Sequence, residues 1–243
     1  MISIQINAAE VIEIKALDEG RAGVRFLNWK VQAKPLALRK ADGDDSYKGA
    51  GVYAIGFDNH LIYVGSYLGS GGRVADFSGD VVKDRWWAHI GAITARGSKV
   101  HIAKRSLEAL QLELGASHVM VEGLLKATDH KILHKDAGDL ATLRRLRFAA
   151  QRSQDFFDSR NNCLEILKRF QFVYVKFNGL AKNEDRNTLK VRIESAEKKL
   201  IQKLAPICNA KHVKLQMEPV RTHIDQVAML IEAEFASALN EPI

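Results

Sequence analysis

What this chain lacks already excludes several kinds of protein. Its 243 residues hold two cysteines, Cys163 and Cys208, in neither a C-x-x-C pair nor a spaced framework. A disulfide scaffold is therefore excluded, and both thiols read as buried or inert in a reducing compartment. No apolar stretch approaches the roughly 20 residues that a membrane span needs, and charge interrupts the longest ones. The start, "MISIQINAAEVIEIK", has neither the basic residues nor the continuous apolar core of a secretory leader. Internal repeats and low-complexity tracts are also missing. Together these absences predict a cytoplasmic protein with no membrane partner.

What the chain does have is a core and a charge. Hydrophobic residues make up 47% of it, enough to fill one large domain or two small ones. The formal net charge is +7, and the pI is about 9.4. That balance suits a partner made of phosphate more than a small metabolite.

Periodicity divides the chain. The alternation in "ISIQIN" predicts an early strand. "GVYAIGF" and "LIYVG" read as two β-branched and aromatic arms joined by Asp58 and Asn59 as turn residues. "VVKDRWWAHIGAIT" suits a helix with Asp80 as its N-cap and with Arg85 and His89 one turn apart on one face. Residues 99–169 are helical in pattern, including "HVMVEGLLKATDHKILHK". "FQFVYVKF" returns as a strand, and two amphipathic helices close the chain.

Two phenols on a hairpin, an arginine and a histidine on one helix, and a carboxylate on a later helix are groups that phosphodiester hydrolysis can use. A guanidinium stabilises charge gathering on phosphate. One carboxylate can hold a Mg²⁺ that keeps most of its waters. A tyrosine beside a cation or histidine can act as base or orient the attacking water.

In order, "GVY", then "YVG" with ten residues from Tyr53 to Tyr63, then "RWWAH", then "AEKKLIQKLAPICN" resembles the GIY-YIG nuclease superfamily. The spacings of four from Arg85 to His89 and twelve from Glu197 to Asn209 are similar to its restriction-endonuclease branch. The resemblance implies an α+β fold, a three-stranded antiparallel sheet flanked by helices, with strands at about 50–57, 60–66 and 170–177. It implies that Tyr53 is the general base or its partner and that Tyr63 orients phosphate or water. Arg85 would stabilise the phosphate, His89 assist proton movement, Glu197 hold one Mg²⁺ or Mn²⁺, and Asn209 support the site. The activity implied is metal-dependent hydrolysis of DNA, of restriction or mobile-element type. The alternatives are an inactive DNA-binding protein, a structure-specific repair nuclease, or an assembly scaffold. Family members often carry lysine shortly after the second motif, where this chain has Ser66 and Tyr67. Arg73 or Lys83 would then have to supply that charge.

The expected domains are an N-terminal extension at 1–49, a catalytic core at 50–97 and 170–210, a helical insertion at 98–169, and a C-terminal helix from 211. Arg144, Arg145, Arg147, Arg152 and Arg160 cluster near the end of the insertion and fit contacts to a DNA backbone. His130 and His134 stand four apart, but no further ligand is evident nearby, so they read as a solvated face rather than a zinc pair. Glu122 is set aside as a metal ligand because no strand precedes it. The stripe of the last helix packs on the core or forms a homodimer interface.

Overall fold

The hairpin forms as its residues dictate. In a computed structural model, β-branched and aromatic arms pair antiparallel around Asp58 and Asn59, whose φ values of 49° and 63° are both positive. Two left-handed residues make the primed turn whose twist matches the strands it joins, and Asp and Asn tolerate that backbone best after glycine. The structure describes residues 1–16, 29–39, 47–69, 79–97, 100–125, 132–133, 141–157, 163–176, 186–213 and 221–240.

In chain order the elements are β1 (Ile2–Asn7), α1 (Ala8–Val11), β2 (Ile12–Ala16), β3 (Trp29–Ala33), β4 (Gly51–Phe57) and β5 (His60–Tyr67). A π-helical turn, Val82–Trp86, leads into α2 (Trp87–Thr94). Then come β6 (Ile102–Ala103), α3 (Lys104–Leu114), α4 (Val119–Leu125), β7 (Ile132–Leu133), α5 (Leu143–Gln151), α6 (Ser153–Phe157) and α7 (Cys163–Lys168). The chain closes with β8 (Phe170–Lys176), α8 (Arg186–Leu204) and α9 (Ile224–Asn240). The fold is α+β, and no described helix is long and apolar enough to cross a membrane.

Two compact units share these elements, the first holding residues 1–11, 35–84 and 168–243, the second 12–34 and 85–167. The first is built on an antiparallel sheet in the order β1-β8-β4-β5. Three of its strands lie where the sequence places them. The fourth, β1, corrects the expected count of three: the early alternation at Ile2–Asn7 pairs with β8 in register Ile2↔Lys176 to Asn7↔Gln171. The expected N-terminal extension is thus divided. Its first residues complete this sheet, and 12–34 belong to the second unit, as do 85–97 of the expected core.

Alternation along β4, β5 and β8 sorts their side chains. Val52, Ala54, Val64, Val173 and Val175 join Leu189, Ile193, Leu200 and Ile201 of α8 and Ile224, Val227, Ile231 and Phe235 of α9 in one buried cluster. The apolar stripe of the last helix therefore serves the core of its own unit. The opposite face carries the aromatics Tyr53, Phe57, Tyr67, Phe170, Phe172 and Tyr174. Phe57 and Phe170 are cross-strand partners with ring centroids 4.7 Å apart. Arg169 lies 4.5 Å over Phe57 and grips Asp58 with two bonds of 2.7 Å, which fixes the turn to the neighbouring strand.

In the second unit, β2 and β3 form a hairpin, and Trp29 on β3 is fully buried beneath the guanidinium of Arg96 at 3.9 Å. Burial pulls the Arg96 pKa down to about 10. The long helix expected over "HVMVEGLLKATDHKILHK" does not run its full length, because Ile132 and Leu133 pair in parallel with Ile102 and Ala103. His130, His134 and Arg160 lie outside the described residues.

One position tests how closely β4 and β8 approach. A Cβ added at Gly51 would lie 2.2 Å from the carbonyl oxygen of Val175 and 2.9 Å from the Tyr174 ring. Backbone cannot move aside cheaply, so Gly51→Ala is expected to cost about 1–3 kcal/mol in urea unfolding. An unchanged midpoint would contradict the close strand pairing.

Candidate active site

Four of the six site residues expected from the sequence converge on one strand. Tyr53 on β4 and Tyr63 on β5 place their rings 6.1 Å apart, tilted by 38°. Both lean over Gly65, the cross-strand partner of Tyr53. A Cβ at Gly65 would stand 2.6 Å from the Tyr53 hydroxyl and 2.9 Å from the Tyr63 ring. Glycine in "YVG" is thus the space that the two phenols occupy. Tyr53 is buried and Tyr63 half-buried. A bulge between Ile55 and Gly56 shifts the register so that Ile55 faces Tyr63 and Gly56 faces Leu61. Without the extra residue Ile62, the alternation beyond it would fall on the wrong face.

β5 is an edge strand, and an edge leaves backbone groups that need partners. Side chains supply them. Asn209 accepts from the Val64 N–H at 2.9 Å and donates to the Val64 carbonyl at 2.8 Å, so its amide behaves as one residue of a further strand. Beside it the Cys208 N–H donates to the Ile62 carbonyl at 2.9 Å. The local sequence sets this up: Pro206 ends α8, Ala205 before it turns left-handed at φ 43°, and the Asn209 N–H closes a turn on the Pro206 carbonyl at 3.1 Å.

The next outward position is Ser66, on the face of β5 toward α8. Its hydroxyl donates to Oε2 of Glu197 at 2.6 Å. Burial raises the Glu197 carboxyl above its usual value, while the Ser66 hydroxyl, His212 and the Ser66 backbone N–H pull it back down. His212, not singled out from the sequence, sits with a left-handed backbone at φ 64°. Gly65 and Ser66 are consecutive, so the phenol pair and Glu197 lie on opposite faces of one edge strand.

Beyond β5, Asp80 is the expected N-cap: its Oδ1 accepts from the N–H groups of Val82 at 2.9 Å and Lys83 at 3.2 Å. Its other oxygen pairs with Arg39, a link between distant segments that no local pattern betrays. The Tyr67 hydroxyl donates to Asp84, and burial followed by that bond pushes the Tyr67 phenol well above its usual range. Tyr67 therefore stays protonated and is no base.

Arg85 and His89 belong to the second unit. Arg85 is exposed on the π-helical turn, and His89 is 7% exposed on α2. A π turn widens the helix and shifts its phase, so these two residues do not share the one face that α-helical spacing predicts. Burial, then the charges of Arg145 and Arg85, hold His89 well below its usual value, leaving a neutral imidazole. Trp86, next to Arg85 in sequence, is fully buried.

The expected cationic cluster divides as well. Arg145 is 5% exposed, on the face of α5 that also buries Leu146, Phe148 and Ala149. It offers no surface charge to a phosphate backbone, contrary to the expectation. Arg147 is exposed but forms a two-pronged pair with Glu113. Lys83 and Arg152 are exposed and Arg144 half-buried, while Arg73 lies outside the described residues.

Among the described residues no three His, Cys, Asp or Glu side chains converge in a way that could hold a metal ion. Glu197 offers a different donor set. An ionised carboxylate has about four acceptor sites, so the one bond from the Ser66 hydroxyl leaves capacity for a cation. A single, partly buried carboxylate fits Mg²⁺ or Mn²⁺ that retains its waters. Glu122, set aside from the sequence, is exposed on α4. Of the thiols, Cys208 is fully buried, and burial raises the half-buried Cys163. No protein-family profile, curated protein or solved structure matches the chain.

The state of His89 has a consequence for stability. Its folded value lies below the unfolded value of about 6.5, so the unfolded chain binds the proton first. Stability is full above about pH 6.5 and falls as pH drops, by up to about 1.4 kcal/mol per pH unit. His89→Gln is expected to flatten that part of a pH series of urea midpoints. An unchanged slope would mean that His89 charges in the folded state.

Proposed function

We propose that this protein is a metal-dependent DNA endonuclease of GIY-YIG type. The observation that carries the reading is the gathering of Tyr53, Tyr63, Glu197 and Asn209 around residues 63–66 of one edge strand. Nothing in the pairing of a hairpin requires a second phenol against the first, or a carboxylate from another element on the adjacent residue.

In this reading Tyr53 and Tyr63 act on the attacking water and the phosphate, one hydroxyl taking or relaying a proton and the other orienting. Glu197, on the other face of β5, would hold one Mg²⁺ or Mn²⁺, which would supply Lewis-acid stabilisation of charge on the phosphate, so a phosphate met by both the phenols and the ion lies across the outer edge of that strand. Asn209 acts through Val64, keeping β5 in place beneath the phenols. Lys83, Arg144 and Arg152 are assigned backbone contacts, which add affinity that falls steeply with salt. The motif spacings support a restriction-like role, with a mobile-element role as the alternative.

The test is cleavage of plasmid, branched and single-stranded DNA with and without Mg²⁺ or Mn²⁺, comparing the wild type with Glu197→Ala. The expected result is metal-dependent cutting reduced at least about 100-fold by the substitution, with salt-sensitive binding kept. Binding without any metal-dependent product would make the protein a binder on a nuclease-like sheet, the reading that Ser66 in place of lysine favours. Neither binding nor cutting would leave a scaffold.

A further inference from the structure

Ser66 takes the place at which a cationic side chain was expected, and it touches the one carboxylate assigned to metal. Two observations bear on what it does. Its hydroxyl donates to Glu197 Oε2 at 2.6 Å, a short bond. That donor sits on β5, which Asn209 pins through the N–H and the carbonyl of Val64 two residues earlier. The mount is therefore rigid, while Glu197 hangs on a flexible side chain from the penultimate turns of α8.

A lysine at this position would hold Glu197 by neutralising it. A serine holds it and leaves the full negative charge for a cation. We propose that Ser66 is a positioning residue: its hydroxyl fixes one oxygen of Glu197 so that the carboxylate presents its remaining acceptor capacity to a single divalent ion. This rests on the assignment of Glu197 as metal ligand but does not require DNA cleavage, and it reassigns Ser66 from a gap in the motif to a part of the metal mount.

The proposal is tested by Mn²⁺ titration calorimetry on the full chain without DNA, alongside thermal melts. Wild type, Ser66→Ala, Ser66→Thr and Glu197→Gln are compared. Loss of a hydrogen bond that orients a metal ligand weakens metal binding by about 10–100-fold. Ser66→Ala is therefore expected to bind Mn²⁺ at least about 10-fold more weakly, with a cooperative thermal melt retained. Ser66→Thr, which restores a hydroxyl on a β-favouring side chain, is expected to recover wild-type affinity. If the alanine variant does not fold, Ser66→Cys keeps the volume with a weak donor and is expected to show the same loss. Equal affinity in wild type and Ser66→Ala, with Glu197→Gln binding none, would overturn the positioning role and leave Glu197 a ligand. Mn²⁺ binding that Glu197→Gln does not change, or no binding by the wild type, would overturn both.

Discussion

The open edge of β5 is the constraint on which the first unit depends. An unpaired strand edge must be solvated, covered or paired, and here it is paired by the residues that follow α8: the Asn209 amide on Val64 and the Cys208 N–H on the Ile62 carbonyl. Each such bond contributes about 1 kcal/mol, but a buried peptide left without a partner costs about 1–3 kcal/mol. Asn209, 4% exposed, has little alternative but to stay where it is. The same bonds that close the edge also set the distance between α8 and the hairpin. Structural and chemical demands fall on the same atoms.

The opposite face imposes a second requirement through volume. Tyr53 and Tyr63 meet only because Gly65 has no Cβ beneath them. Close packing there leaves no room for a methyl group, so the phenols hold their relative tilt without a hydrogen bond between them having to specify it. Gly51 does for β4 and β8 what Gly65 does for the ring pair, allowing strand contact closer than any side chain permits. Two glycines of the motif thus have separate steric jobs on neighbouring strands.

Much of this was legible in the residues. The hairpin, its two-residue turn and β8 follow from β-branched runs bounded by Asp58, Asn59 and Arg169, since strand patterns and turn chemistry are local. Asp80 as N-cap and the core stripe of the last helix are local as well. What escaped are relations that no local pattern encodes. β1 pairs with a strand more than 160 residues away, and Arg39 finds Asp80 across a long gap. Arg145 and Arg147 look alike in "LRRLR", yet helix phase buries one and presents the other to Glu113. The spacing of Arg85 and His89 assumed an α-helix, and the π turn between Val82 and Trp86 altered their phase. Ser66 was legible only as a departure, because its contact with Glu197 spans 131 residues.

The central claim is that the phenols over Gly65 do chemistry rather than fill space. Tyr63 separates the two most directly, since it is half-buried and its ring can be kept while its hydroxyl is removed. The decisive measurement is single-turnover DNA cleavage by Tyr63→Phe beside its melting temperature. The account predicts an unchanged melt and a rate lower by about 100-fold or more. A phenylalanine variant that cuts at the wild-type rate would reduce the pair to packing and contradict the account.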